Sequence, residues 1–403
     1  MVSATIIAEG LSGLHGPVPT RFSWQRRSLT YQFRDSLSEA GAVLASTAPG
    51  LALDNDRAVL RSIRGIELLE SALDALPGGP FDPTADHIAV VEQRYILGAW
   101  RDFPLGLYRL EVGDTRYGRD GEPVVECDAA DLATVLTESG PSATHTVGAG
   151  TGYRAAAMAV FTLLGLAHDL SAVTAALPTT QSWPPYPETT WWQVLHDLAD
   201  GINYRTPWPD TQGRFVWRAQ EVDPSQAVEA VTYIDEDEPR LIDGDTPYRR
   251  RQRAGTLGNR AVVLIDDPLH PDFPTRVVRE NADPESPVST AHRPERQFEV
   301  RWDSRPVSTR TVLDGGTAAD IAATLLRREA ARYRTATLTT LPDPRREAHE
   351  YYRLRVTHPD GSAVEDGTLW RVARWSRDLI PGGRHTHEVE HVTAVAVVEP
   401  EAG

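Results

Sequence analysis

A two-residue alternation of apolar and polar side chains constrains the fold of this chain more than any other feature. In EYYRLRVTH, Tyr352, Leu354 and Val356 alternate with tyrosine and arginine. This period is that of a strand with one buried face. Comparable segments fill the N-terminal third: RSIRGIELLE, DHIAVVEQRYIL, FPLGLYRLEVGDTRY and GEPVVECDAAD. With 30 Gly and 30 Pro to form turns between them, these segments predict a mostly β protein with antiparallel strands.

The middle of the chain carries helical patterns instead. Residues 154–177 are mostly Ala, Leu, Val and Met, which predicts a buried helical segment. A second helix, capped by Thr189 or Thr190, has an apolar stripe at positions i, i+4 and i+8 and ends near Gly201. A turn at residues 210–213 then leads into a strand. Helix, turn and strand predict a central α+β unit, so the fold class is α+β and mostly β.

One further helix is predicted in the last hundred residues, over TAADIAATLLRREAARYR. Thr317 is its expected N-cap and Asp320 follows three residues later, after a turn formed by Asp314, Gly315 and Gly316. Alternating segments follow, and the last of them is HTHEVEHVTAVAVVEP. The predicted division is an N-terminal β domain (1–145), the central unit (150–235), a connecting β-rich segment (236–310) and a second β domain with one helix (311–403).

Charge and cysteine content exclude some classes of function. The formal net charge of -16 argues against a dedicated nucleic-acid binder, because phosphate neutralisation requires a basic surface. The single cysteine, Cys127, excludes an intramolecular disulfide and a cysteine-cluster metal site. No signal segment is apparent, and the longest apolar run, residues 155–167, is too short to span a bilayer. We therefore expect a soluble protein with no membrane segment.

The sharpest catalytic candidate is H-E-x-x-H, formed by His387, Glu388 and His391. In zinc proteases this motif lies on a helix, which brings both histidines to one metal ion. Here it follows a Gly-Gly turn and runs into VTAVAVV, which is typical of a strand. In a strand the two histidines are roughly 13 Å apart, too far to share a zinc ion. We predict a strand with exposed polar side chains; zinc bound by His385 and His387, which share a strand face, is the less favoured alternative.

Two other segments suggest ligand binding. GAGTGY, residues 148–153, precedes a helix as phosphate-binding turns do, but the glycine register fails and no convincing strand leads into it. An inter-domain link is the better interpretation. YRRRQR concentrates Arg249, Arg250, Arg251 and Arg253 in an acidic chain. A solvated or interfacial strand is favoured there over phosphate contact, and the sequence leaves open whether these arginines form an interface.

Tryptophans cluster in the central unit and suggest either a sugar-binding surface or a core, of which the core is the commoner arrangement. They are Trp183, Trp191, Trp192, Trp208 and Trp217. Elsewhere no nucleophile elbow or paired-carboxylate signature stands out. We therefore predict no catalytic, cofactor-binding or metal-binding residue and no enzymatic activity.

Four segments, in their order along the chain, resemble the tail hub proteins of long-tailed bacteriophages. FPLGLYRLEV resembles the family's tube-like N-terminal domain, and WWQVLHDLADGINYRTPWPDTQGRFVW resembles its central unit with a D-x-x-G turn. NRAVVLIDDP with RENADPESPVS is similar to its return segment, and TAADIAATLLRREAARYR to the helix before its last strands. The resemblance covers nearly the whole chain as a series of weak motifs.

The resemblance implies a structural virion protein at the tail tip. It implies two tube-like antiparallel β-barrel or sandwich domains per chain, and a homotrimer that closes the tail tube. Its expected partners are the distal tail protein ring, the tape-measure protein and the host-recognition proteins. DNA would pass through an acidic lumen without specific binding, and no cofactor is implied. A carbohydrate- or receptor-binding tail component is the alternative, and a hydrolase that uses the C-terminal histidines is a third hypothesis.

Overall fold

The structure is a computed structural model. It describes residues 19–28, 34–37, 49–76, 79–117, 121–220, 230–234, 248–252, 257–265, 275–292, 299–303, 315–357, 362–392 and 395–399. No helix in these ranges is both long and apolar enough to cross a membrane.

Strands dominate the described ranges. The strands are β1 (Thr20–Ser28), β2 (Arg34–Ser36), β3 (Gly50–Asp54), β4 (Arg61–Leu69), β5 (Asp86–Ile96), β6 (Ala99–Tyr117), β7 (Pro123–Asp131), β8 (His145–Val147), β9 (His168–Leu170), β10 (Gln181–Trp183), β11 (Trp208–Pro209), β12 (Phe215–Trp217), β13 (Ala230–Ile234), β14 (Tyr248–Gln252), β15 (Arg260–Ile265), β16 (Thr275–Asn281), β17 (Glu299–Asp303), β18 (Arg334–Thr340), β19 (Tyr351–Thr357), β20 (Ala363–Asp378), β21 (His385–His391) and β22 (Val397–Val398). The helices are α1 (Glu70–Asp74), α2 (Ala133–Glu138), α3 (Tyr153–Leu163), α4 (Trp191–Asp200) and α5 (Gly315–Ala331).

One large sheet joins the two ends of the chain. Its path is β14-β18-β21-β20-β3-β4-β7-β6-β5-β1-β2; β19 branches from β20, and β13 pairs with β19. The joint is the antiparallel pairing of β20 with β3, in which Trp375 lies opposite Leu53. The sequence prediction of a mostly β fold with antiparallel sheets is confirmed. In the described part of the chain this sheet is open, with β14 and β2 at the ends of its path, and no closed barrel forms.

The core of the large sheet draws on strands from both ends of the chain. Ile63, Val90 and Leu51 from the N-terminal strands are completely buried, as are Tyr352 and Trp370 from the C-terminal strands. Alternating burial along β3 and β19 accounts for the period-two pattern in their sequences. Because one core takes residues from both ends, the hydrophobic effect holds the two ends together.

The central unit is built around a second core. Its helices α3 and α4 pack with a short parallel pair, β9 and β12, and with an antiparallel pair, β8 and β10. The Thr190 side chain caps α4 by accepting a hydrogen bond from the Gln193 N–H at 3.2 Å, and α4 ends with Gly201 as its C-cap. Both features agree with the sequence prediction. Phe161, Trp183 and Trp217 are almost completely buried in this core.

Two helix predictions need correction. The apolar run beginning at Arg154 is helical only to Leu163, and Gly165, with φ +66°, lies in the turn that follows. Glycine adopts this conformation without a Cβ penalty, so the chain leaves the helix there and returns as β9. In the last hundred residues, α5 begins at Gly315, so Thr317 lies inside the helix and is not its N-cap. Its apolar face packs on the sheet β17-β15-β16-β22, with Ala318, Ala322 and Leu326 buried against Ala261 and Val263.

Candidate functional site

The H-E-x-x-H segment is strand β21, as predicted, and its histidines serve the core. His385 and His387 are completely buried, with ring centroids 3.9 Å apart. His387 contacts the Thr340 hydroxyl through Nε2 at 2.9 Å and the Tyr352 hydroxyl through Nδ1 at 3.1 Å. The prediction of exposed side chains is wrong for His387 and correct for Glu388. The face of β21 that carries His385 and His387 turns toward the large core, where the hydroxyl partners of His387 lie.

The remaining residues of the motif point elsewhere. Glu388 forms a half-exposed ion pair with Arg374 at 3.1 Å. His391 packs edge-on against the Trp370 ring, with centroids 5.2 Å apart. No group of three His, Cys, Asp or Glu in the described ranges is placed to hold a metal ion. The strand geometry therefore separates the residues that a zinc protease would bring together.

Burial sets the protonation state of these histidines. The pKa of His387 is lowered to about 3, first by burial and then by the positive charge of Arg346. Burial also lowers the pKa of His385 well below its usual value, with His387 and Arg377 as further causes. Both rings are therefore neutral near pH 7. They act as buried polar parts of the sheet core.

The glycine-rich segment before α3 is held in place by a neighbouring strand-like segment. The Gly150 N–H donates to the Leu177 carbonyl at 2.8 Å, and Gly152 bridges Ala176. A short strand, β8, does lead into the segment, which the sequence did not predict. The strand before this segment, the helix after it and its hydrogen-bond partners all belong to the central unit. The segment is therefore part of that unit.

The arginine-rich segment forms an edge strand. Strand β14 pairs with β18 and lies at the end of the sheet path among the described strands. Arg249, Arg250 and Arg251 are exposed, and Arg250 pairs with the buried Glu365 at 3.4 Å. Arg253 lies outside the described residues. Exposed arginines on an edge strand are typical of a solvated or interfacial strand.

The tryptophan cluster is mostly core. Trp183, Trp191, Trp208 and Trp217 are each at most 8% exposed, so the predicted core arrangement is what the fold contains. Trp192 differs from them: it is only partly buried, and it stacks on the His196 ring with centroids 4.7 Å apart. That pair lines a pocket that the sequence did not reveal.

The pocket has a volume of about 300 Å³ and lies where the central unit meets the large sheet and α5. Segments far apart in sequence form its walls: the turn after β3, helix α4 with the segment that follows it, helix α5, and the start of β19 with part of β20. Its aromatic wall contains Trp192 and Trp208, and Trp208 meets the His349 ring edge-on with centroids 4.6 Å apart. Pockets at such junctions are common ligand sites.

Arginine dominates the charge of this pocket. Within the described part of the chain its lining includes two aspartates, Asp56 and Asp200, and a larger set of arginines: Arg57, Arg205, Arg327, Arg328 and Arg371. Arg371 donates to Glu390 at 2.5 Å, and Arg328 donates to the neutral Gln220 amide at 2.9 Å. The pKa of His349 is lowered well below its usual value by burial and by the charges of Arg205, Arg371 and Arg328. The described lining therefore has more arginines than aspartates in a chain of net charge -16, although Arg57 also pairs with Asp54 at 3.2 Å.

His349 is also held in an unusual backbone conformation. Its φ is +61°, which a non-glycine residue rarely adopts. Its backbone N–H donates to the Asn55 side-chain oxygen at 3.1 Å, and the Asn55 amide donates to the Val372 carbonyl at 2.8 Å. Asn55 thus ties the segment before β19 to the turn after β3. The surrounding structure fixes His349 in the pocket wall.

No protein-family model matches the chain, and no curated protein matches it in sequence. Solved structures do match it in fold. A tail protein from Neisseria meningitidis MC58 superposes with a TM-score of 0.52 at 13% identity, covering 92% of this chain and 96% of that one. The 43 kDa tail protein of prophage MuSo2 from Shewanella oneidensis superposes with a TM-score of 0.54 at 12% identity, covering 91% of this chain and 98% of that one. Both are described as tail proteins, one of them from a prophage, and at the level of fold they confirm the predicted resemblance.

Proposed function

We propose that this protein is a structural component of a bacteriophage-type tail. One observation carries the proposal: two tail proteins match over 91% or more of this chain and nearly all of their own length. A match of that extent leaves out less than a tenth of this chain.

Within the tail, we propose the role of hub. The chain would act as a homotrimer that closes the tail tube at the tail tip and joins it to the distal tail protein ring, the tape-measure protein and the host-recognition proteins. The open sheet supports this role, because strands β14 and β2 end its described path and present edges to neighbouring copies. The exposed arginines of β14 would then face an acidic surface of the next subunit.

The net charge fits passage of DNA without specific binding. At -16 the chain repels a phosphate backbone, and a ring of three copies would surround the lumen with negative potential. DNA in such a lumen gains no counterion-release energy from basic side chains. It would therefore slide through during ejection.

The four-part division of the chain remains part of the proposal. The separate core around α3 and α4 supports a central unit over residues 150–235. In this proposal the ranges 1–145 and 311–403 are two β domains that share one core through the pairing of β3 with β20. The connecting segment, 236–310, contributes β15 and β16 to the sheet on which α5 packs.

Solution mass combined with negative-stain class averages tests the hub. Light scattering should give three times the 44.4 kDa chain mass, and the averages should show a threefold ring with a central opening. A monomer at all concentrations, also after mixing with a distal tail protein, would overturn the hub role. In that case, binding of a glycan by the isolated protein would support the alternative, a carbohydrate- or receptor-binding tail component.

A further inference from the structure

The arginine-lined pocket at the junction of α4, α5 and β20 has a ligand-binding character that a structural tail role does not require. We propose that it binds an oxyanion, a carboxylate or phosphate group, on a small ligand whose ring rests against Trp192 and Trp208. Its volume of about 300 Å³ suits a ligand with one ring and one charged group. The site depends on this pocket alone and not on assembly of a tail.

Charge is the first support for an anion. Arg328 lies at an exposed position of α5, and its hydrogen-bond partner Gln220 is neutral. Arg205 and Arg371 line the same pocket. Arg371 also pairs with Glu390. Arg205 and Arg328 are therefore the positive groups that an anion in this pocket would stabilise most.

Unsatisfied polar atoms are the second support. Thr324 lines the pocket and is 8% exposed, and its hydroxyl has no hydrogen-bond partner among the described residues. The buried Nε of Arg371 likewise lacks a partner there. A buried polar atom without a partner costs free energy, and an oxyanion accepts hydrogen bonds from both kinds of donor.

The aromatic wall specifies the rest of the ligand. Trp192 is fixed by stacking on His196, which contacts the Thr206 hydroxyl at 2.8 Å through Nδ1 and Asp200 at 3.4 Å through Nε2. Trp208 is fixed by the edge-on contact with His349. Aromatic rings held in this way offer apolar surface at little entropic cost, which favours a ligand with a flat or apolar body.

Titration calorimetry with four probes tests the proposal: benzoate, phenyl phosphate, inorganic phosphate and the neutral benzyl alcohol. We expect saturable binding of benzoate or phenyl phosphate at least tenfold tighter than binding of benzyl alcohol and of inorganic phosphate. The tighter of the two anions identifies the group as carboxylate or phosphate. No saturable binding of either anion, or equal binding of the neutral probe, would overturn the proposal.

Variants on α5 and on the turn directly after it then locate the site. Arg328→Gln should weaken binding about tenfold, as the loss of one charge-assisted hydrogen bond predicts. Arg332→Gln, an exposed arginine on the turn directly after α5 that pairs with Glu329 outside the pocket lining, should leave binding unchanged. Thr324→Val keeps the shape of the side chain and should weaken binding severalfold without lowering stability. Equal losses for Arg328→Gln and Arg332→Gln would place the anion outside this pocket.

Discussion

His385 and His387 lie on one face of β21 with their ring centroids 3.9 Å apart, and both are completely buried. Two imidazoles this close can share the core only if at most one carries a charge. Burial lowers the pKa of both histidines, so both are neutral near pH 7, and His387 contacts the Thr340 and Tyr352 hydroxyls. The pair therefore makes folding sensitive to acid.

The free energy of unfolding should fall as the pH drops below about 6.5. Unfolded histidine takes up a proton near pH 6.5, whereas His387 in the folded protein does so only near pH 3. In this pH window the unfolded state binds more protons than the folded state. Each such histidine therefore lowers the free energy of unfolding by up to about 1.4 kcal/mol for each unit by which the pH falls. Urea unfolding at pH 7 and pH 4.5 measures the loss.

Other groups oppose this trend, so a variant isolates the histidine contribution. The pKa of Asp131 is raised to about 6 and that of Glu350 to about 7 by burial, and their stability contribution grows as the pH falls. His387→Gln keeps hydrogen-bonding atoms but cannot titrate. Its unfolding free energy should depend less steeply on pH than that of the wild type between pH 6.5 and 4. Parallel curves for the two proteins would contradict the assignment.

The buried carboxylate of Glu92 predicts a large effect on stability. Glu92 on β5 accepts a hydrogen bond from Arg94 at 2.6 Å and another from Arg377 on β20, and all three side chains are at most 7% exposed. Glu92→Gln would leave two guanidinium groups buried against a neutral amide. The expected loss is about 3–5 kcal/mol, measured from the urea midpoint.

An exposed pair provides the matched control. Glu388 pairs with Arg374 at 3.1 Å, also across the large sheet, but both side chains are about half exposed. Glu388→Gln should cost less than about 1 kcal/mol because solvent screens the pair. Similar losses for the two variants would show that burial does not set the strength of the Glu92 cluster.

The sequence predicted local structure where a single segment decides it. The β-branched run after His391 identified the strand, and Thr190 and Gly201 marked both ends of α4. The end of α3 was missed because its apolar composition continues beyond Gly165, where the backbone turns. The start of α5 was misplaced because Thr317 looks like a cap although the helix already begins at Gly315.

The pocket could not be predicted from the sequence. Its walls come from positions as distant as Asn55 and Val392, so their approach depends on the pairing of β3 with β20. The burial of His385 and His387 was missed for the same reason, because a two-residue period does not tell which face of a strand is covered. Trp192 was the one sequence signal of the pocket. It is a tryptophan adjacent to the buried Trp191 on the predicted helix.

Removing the N-cap side chain of α4 should lower the free energy of unfolding by a small amount. Thr190→Ala removes the side-chain oxygen that accepts from the Gln193 N–H, and the expected cost is about 1 kcal/mol of unfolding free energy. Thr190→Ser retains that oxygen and should stay near the wild type. Thermal unfolding of the three proteins gives the comparison. Equal midpoints for Thr190→Ala and Thr190→Ser would show that the cap adds nothing.

The turn before β12 should tolerate no side chain at Gly213. Its φ is +78°, and a Cβ there would lie 2.9 Å from the Cβ of Leu107, inside the central core. Gly213→Ala should therefore lower the free energy of unfolding in two ways. The left-handed backbone conformation costs a residue with a Cβ about 1–2 kcal/mol, and overpacking against Leu107 costs about 1–3 kcal/mol. Gly165 has a similar φ of +66° with nothing within 4 Å of an added Cβ, so Gly165→Ala should cost only the backbone part. Urea unfolding should rank Gly213→Ala as the less stable variant, and the reverse order would contradict the packing of Leu107 against this turn.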